Sequence, residues 1–217
     1  MTYNAIYHVT ARFCLEKRKK PMQTILYIHG YGSNGNAIKG QLLRTMLPDC
    51  RVVSPTFDYD HITPFEIQQQ IHDVVDQEHV SMIVGSSFGG YQSLCATAFF
   101  QGPVWTVNPA HDVAQTIHRV ILKEGTEQPT DEGKRLLDCY QHFDDEVFRR
   151  QVRRNQEGHW PESTPLHFAL STDDELLGDH RPLLDMFPNY GSVVWKDHCG
   201  HRFFRFEEMK EPITKSL

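Results

Sequence analysis

Long apolar runs are missing from this sequence. No stretch approaches the ~18 consecutive apolar residues of a transmembrane helix. Met1–Pro21 holds no apolar segment of signal-peptide length, and its basic cluster Lys17-Arg18-Lys19-Lys20 follows the apolar residues instead of preceding them. An excess of positive charge is also missing. The 22 Lys and Arg stand against 28 Asp and Glu, a formal net charge of −6 at pH 7 with histidine neutral. A nucleic-acid binder needs a net basic face, so that class is not expected. Cysteine is sparse and irregular: Cys14, Cys50, Cys95, Cys139 and Cys199 are odd in number and form no C-x-x-C pair. A disulfide framework is therefore not expected, which fits a reducing compartment. Repeats and low-complexity tracts are absent as well. The expectation is a cytoplasmic protein with neither nucleic acid nor membrane as a partner; the oligomeric state is open.

What is present reads as one globular domain. The 217 residues exceed the ~150 of a typical domain by enough for one insertion. Short apolar runs rich in β-branched residues recur: Thr24–Ile28, Arg51–Ser54, Met82–Gly85, Val104–Val107, Leu166–Leu170 and Val193–Trp195. They are continuous rather than alternating, which suits strands covered on both faces. Helical patterns lie between them. Ile67, Ile71, Val74 and Val75 share one helix face, and Thr63, Pro64 and Glu66 supply an N-cap, a first-turn proline and a capping box. Gly90–Phe100 reads as a second helix. Strands alternating with helices predict an α/β fold with a mostly parallel sheet, helices on both faces and right-handed crossovers.

Two segments depart from this alternation. Tyr7, Val9, Ala11, Phe13 and Leu15 alternate with polar residues and predict an added N-terminal edge strand. Residues 112–162 have helical periodicity and no strand pattern, and predict a helical insertion over one end of the sheet, as a lid or as an enlarged crossover.

The sharpest chemical signal is Gly85-Ser86-Ser87-Phe88-Gly89-Gly90, a G-x-S-x-G run that leaves a buried strand and opens a helix. A serine in such a turn holds a strained backbone, and the flanking glycines let neighbouring chains approach closely. Its hydroxyl then stands at a helix N-terminus, where developing negative charge is favoured. Ile28-His29-Gly30-Tyr31-Gly32-Ser33 closes the first core strand. In an α/β-hydrolase arrangement such a loop supplies one amide of an oxyanion hole and the residue after the nucleophile supplies the other, here Tyr31 and Phe88. His29 itself reads as a residue that structures the loop.

A serine nucleophile needs a base, and the base an orienting carboxylate, in the chain order Ser, Asp or Glu, His. Ser171-Thr172-Asp173-Asp174-Glu175 follows the fifth core strand, and Asp197-His198-Cys199-Gly200-His201-Arg202-Phe203 follows the sixth. Both lie at carboxyl ends of strands, where sites in open α/β sheets form. Gly200 permits a tight loop that aims His201, with a helix expected to begin at Arg202; His198 is the alternative base. Asp174 is the favoured acid, with Asp173, Glu175 and Asp179 as alternatives. Asp197, His198, Cys199 and His201 also admit a metal-ligand reading, disfavoured because no further donor has matching spacing. Arg149, Arg150, Arg153 and Arg154 form a helical stripe, either a solvated face beside Asp144, Asp145 and Glu146 or a clamp for an anionic substrate such as the phosphates of an acyl-CoA.

With these residues in view, the chain resembles the small bacterial YqiA/YcfP-type α/β-hydrolases. The likeness is carried by Ile25–Ser33, Ile83–Tyr91, Val107-Asn108-Pro109-Ala110, Thr172–Glu175 and Gly200-His201-x-Phe203, and spans Thr24 to Glu208. It implies an esterase with Ser87 as nucleophile, Asp174 as acid and His201 as base, and no cofactor. Asp173 departs from the family pattern, which tends to place glycine before the acid, and the segment before residue 24 has no counterpart in it. The expected reaction is acyl transfer from a small-molecule ester or thioester to water. Alternatives are an amide or peptide hydrolase, an acyltransferase with the same triad, or a non-catalytic binding protein on a hydrolase fold.

Overall fold

Alternation of side chains across each strand decides how this chain buries its apolar surface. In β1 (Thr24–Ile28), Leu26 and Ile28 enter one core while Ile25 and Tyr27 enter the other, and every position of the strand is buried. A strand with two apolar faces is stable only with a layer on each side. The computed structural model, which describes residues 22–111, 113, 131–160 and 165–217, shows that arrangement.

Among the described residues six parallel strands form one sheet in the order β2-β1-β3-β4-β5-β6. The others are β2 (Arg51–Val53), β3 (Val80–Ser86), β4 (Val104–Val107), β5 (Leu166–Ser171) and β6 (Ser192–Lys196). Registers such as Leu26↔Ile83, Ser86↔Val107 and Val107↔Ala169 align the carboxyl ends of the central strands. The chain leaves β1 for β2 on one side and returns to β3 on the other. The crevice outside the carboxyl ends of β1 and β3 is therefore the topological switch point, where ligands of open α/β sheets bind.

One face carries α2 (Pro64–Gln77) and α3 (Phe88–Ala96), with Ile67, Ile71, Tyr91 and Leu94 packed on Ile83, Val104 and Phe168. The expected cap of α2 is present in full: Thr63 and Glu66 each bond the other's backbone amide. Helix α3 starts earlier and ends earlier than the expected 90–100. After Ala96 the amides of Ala98 and Phe99 turn to carbonyls three residues back, which closes the helix. The same face receives α4 (Asp131–Phe143), a π-helical turn (Asp144–Phe148) and α5 (Arg149–Gln156), which fall within the segment 112–162 expected to be a helical insertion. Phe143 meets Phe65 of α2 edge-on at 5.0 Å, and Tyr140 meets Phe88 at 5.2 Å.

The opposite face is covered by α1 (Ile38–Met46), a 3₁₀ turn (Phe206–Met209) and α7 (Lys210–Ser216), through Leu43, Met46, Phe206, Met209 and Ile213. A short α6 (Arg181–Met186) precedes β6. No helix begins at Arg202. Residues 201–205 form turns, with Phe203 at a φ of 51°, and helical structure starts at Phe206. The expected edge strand over residues 7–15 lies outside the described residues. Among the described residues no helix is long and apolar enough to cross a membrane.

Candidate active site

Ser87 sits between β3 and α3 with φ 56° and ψ −120°, a conformation that costs a non-glycine residue ~1–3 kcal/mol. Its surroundings hold it there. The Ser87 amide donates to Val107 O at 2.9 Å, and its carbonyl accepts from Tyr91 N at 3.2 Å and Ala110 N at 3.1 Å. The glycines around it are required by close packing. A Cβ on Gly85 would collide with Ser93 Oγ and Gly89 O, and one on Gly89 with the backbone oxygens of Ile28 and His29. The turn can be this tight only because β1 and α3 touch through bare backbone.

The loop after β1 passes directly beside the serine. A Cβ on Gly30 would stand 3.2 Å from Ser87 Cβ and 3.6 Å from Ser87 Oγ. His29 is fully buried and braces this loop: Nδ1 donates to Gly30 O at 2.8 Å, and Nε2 accepts from Phe57 N at 2.9 Å. Tyr59 Oη donates to His29 O at 2.8 Å. Among the described residues neither the Tyr31 nor the Phe88 amide has a hydrogen-bond acceptor. The Tyr31 hydroxyl donates to Asp60, and burial followed by that carboxylate pushes its pKa up to about 12.

Asp174 and Asp173 are adjacent in sequence and turn to different partners. Asp174 is buried, and its Oδ2 and Oδ1 accept from His201 Nδ1 at 2.9 and 3.1 Å. Oδ1 also accepts from Leu176 N at 3.0 Å and Leu177 N at 2.8 Å. His201 Nε2 in turn lies 2.8 Å from Ser87 Oγ. Burial alone would raise the Asp174 pKa, but the donors from His180, His201 and Leu177 outweigh it and hold the carboxyl well below the usual carboxylate range. Asp173 instead accepts from Ser171 Oγ at 2.6 Å and from the amides of Cys199 and Gly200 at 3.1 and 3.2 Å, so it clamps the loop that carries His201. Glu175 accepts from His201 N at 2.7 Å. Asp179 pairs with Arg181 at 2.8 Å. His198 is exposed and marks a tight turn at φ 57°.

Two residues of this site escaped the sequence reading of roles. Asn108, fully buried at the end of β4 with φ 42°, donates from Nδ2 to Gly200 O at 3.0 Å and His201 O at 3.1 Å. Its Oδ1 accepts from Ser171 N at 2.7 Å, so one side chain ties the end of β4 to β5 and to the His201 loop. The available signal was weak: asparagine is a residue that tolerates positive φ, here at a strand end before Pro109. The second is His180, whose Nε2 lies 3.0 Å from Asp174 Oδ2. Nothing in its spacing marks it.

The remaining candidates have other occupations. Asp197 accepts from Thr172 Oγ1 at 2.6 Å, and Cys199 is buried in the core beneath the sheet. The side chains of Asp197, Cys199 and His201 therefore diverge instead of converging on one point. Arg149 is held by Asp144 and Asp145, each at 3.1 Å, and Arg154 donates to Gln151 at 3.0 Å.

A serine hydroxyl, an imidazole and a buried carboxylate joined in line are equipped for nucleophilic attack on a carbonyl with proton transfer to the imidazole. The model of the uncharacterised protein family UPF0227 matches residues 24–216. The chain belongs to this family. Solved structures share its fold at low identity. Est1E from Butyrivibrio proteoclasticus aligns with a TM-score of 0.65 at 16% identity, over 90% of this chain and 88% of that one. The esterase domain of a Rhodothermus marinus protein aligns at 0.62 and 18%, over 92% and 88%. Paleococcus ferrophilus monoacylglycerol lipase aligns at 0.62 and 12%, over 88% and 92%. The UPF0227 chain thus has the α/β-hydrolase fold, as its sequence led one to expect.

Proposed function

We propose that this UPF0227 protein is a serine hydrolase that cleaves small acyl esters or thioesters through an acyl-enzyme intermediate. The observation that carries the reading is the unbroken line from Ser87 Oγ to His201 Nε2 at 2.8 Å and from His201 Nδ1 to Asp174 Oδ2 at 2.9 Å, set at the switch point of the sheet. In this mechanism His201 takes the Ser87 proton as the oxygen attacks the carbonyl carbon. Asp174 holds the imidazole in the tautomer with its proton on Nδ1 and stabilises the imidazolium. The amides of Tyr31 and Phe88 receive the oxyanion; the close packing of Gly30 on Ser87, with Tyr31 next to Gly30 and Phe88 next to Ser87 in the chain, supports this assignment. Protonated His201 then gives its proton to the leaving alcohol or thiol. Water attacks the acyl-Ser87 ester with His201 again as base, restoring the serine. No cofactor enters these steps.

The names borne by two structures of the same fold, an esterase domain and a monoacylglycerol lipase, add weight to an ester as the substrate. The test is turnover of a series of p-nitrophenyl esters and acyl thioesters of increasing chain length. Wild type is expected to hydrolyse short members, and Ser87→Ala to lose at least ~10³-fold in kcat while keeping its fold. Equal turnover by Ser87→Ala would remove the nucleophile and the mechanism with it.

A further inference from the structure

Asp174 serves two histidines. Its carboxylate has about four acceptor positions, and four donors fill them: the amides of Leu176 and Leu177, His201 Nδ1, and His180 Nε2 at 3.0 Å. The His180 and Asp174 side chains are both fully inaccessible to solvent, whereas His201 retains some access. The other ring nitrogen of His180, Nδ1, has no hydrogen-bond partner among the described residues. The ring proton therefore belongs on Nε2, where it faces the carboxylate.

A buried carboxylate orients its base and also attracts a proton to it. Each additional donor on the same oxygen draws off negative charge and weakens that attraction. We propose that His180 is a positioning residue which, by donating to Asp174 Oδ2, tempers the charge Asp174 presents to His201 and so keeps His201 free to act as a base at lower pH. This rests on the reading of Ser87, His201 and Asp174 as a triad. Other titratable groups around the pair are fixed in place. Asp173 clamps the Cys199 and Gly200 amides, Glu175 accepts from His201 N, and Asp179 is paired with Arg181. Arg202 adjoins His201, and the His111 ring lies 5.9 Å from that of His180. All of these remain when His180 alone is changed.

The experiment measures the second-order rate of labelling of the full chain by a fluorophosphonate as a function of pH. In labelling, Ser87 Oγ displaces fluoride from phosphorus and its proton passes to His201, so the acid limb reports the free base without any need for the natural substrate. His180→Met removes the donor and keeps an apolar fill. His180→Gln places an amide N–H near the position of Nε2. In the Met variant the midpoint of the acid limb is expected to rise by about half to one pH unit, seen as labelling ~3- to 10-fold slower below the midpoint with a similar plateau above it. The Gln variant is expected to return the midpoint toward wild type. If the Met variant does not fold, His180→Asn replaces it, because its amide reaches only the Nδ1 position. A midpoint that stays in place or falls, or that rises equally with Gln, overturns the role of His180. Absence of labelling in folded wild type instead overturns the triad reading on which the role depends.

Discussion

Replacing Asn108 by alanine removes three hydrogen bonds at once. Ser171 N loses its acceptor, and the carbonyls of Gly200 and His201 lose their donor, all beside a fully buried side chain. Each buried polar group left unpaired costs ~1–3 kcal/mol. Alanine at a φ of 42° adds ~1–2 kcal/mol that asparagine largely avoids. Allowing for local relaxation, the loss is about 3–5 kcal/mol, which for a domain of this size lowers Tm by about 10–15 °C. Reactivity should fall further than stability requires. The loop bearing His201 keeps its clamps to Asp173 and Glu175 but loses its anchor to β4, and a misplacement of ~1 Å costs ~10²-fold in rate. Asn108→Asp separates these effects. It retains an acceptor for Ser171 N and tolerates the backbone, yet sets a carboxylate oxygen against two carbonyls, so its reactivity loss should match or exceed that of alanine. Thermal unfolding by circular dichroism and the rate of p-nitrophenyl acetate turnover, measured well below each Tm, check both parts. An alanine variant with wild-type Tm, or one that turns over at the wild-type rate, would refute this reasoning.

Further outcomes follow from the same geometry. Asp174→Asn should lower kcat by ~10⁴-fold, because an amide cannot hold His201 in the required tautomer. Asp173→Asn should cost much less, acting through the Cys199 and Gly200 amides; a reversal of that order in steady-state kinetics would exchange the two roles. Gly89→Ala drives a Cβ into the backbone oxygens of Ile28 and His29. It should abolish the folded state or lower Tm by at least ~10 °C, as read by calorimetry. Burial lowers His167 from 6.5 to about 4. The unfolded chain therefore takes up this proton first, and the stability that His167 contributes above pH 6.5 is lost as pH falls toward 4. Urea midpoints of His167→Gln should decline less steeply than those of wild type across that window, and parallel declines would contradict the assignment.

The elements most legible in the sequence were those whose cause is local. β1 and β4 are short apolar runs, and α2 announces its own start through Thr63, Pro64 and Glu66. The elbow at Ser87 was readable because its serine and two glycines stand in one short run after an apolar strand, although the close approach that Gly89 permits is to Ile28 and His29 at the end of β1. Helix α1 was not read, since Gly40 and an exposed Ile38 at its first position blur its amphipathic pattern; the glycine is there because a Cβ would press on Tyr27. The sequence favours Asp174 over Asp173, but what separates the two is not local. Neighbouring carboxylates in one turn point apart, and which of them meets His201 depends on a loop 26 and 27 residues away. Asn108 was hidden for the same reason, since its partners on β5 and on the His201 loop are 63, 92 and 93 residues away. His180 is only six residues from Asp174, but nothing in that spacing announces the contact.

An activated nucleophile at Ser87 would react with an active-site label. Folded protein is treated with a fluorophosphonate, digested, and the adduct located by mass spectrometry. A single phosphonyl group on Ser87 is expected, lost when the protein is unfolded before treatment. An adduct on another residue, or none on protein shown to be folded, would contradict this role of Ser87.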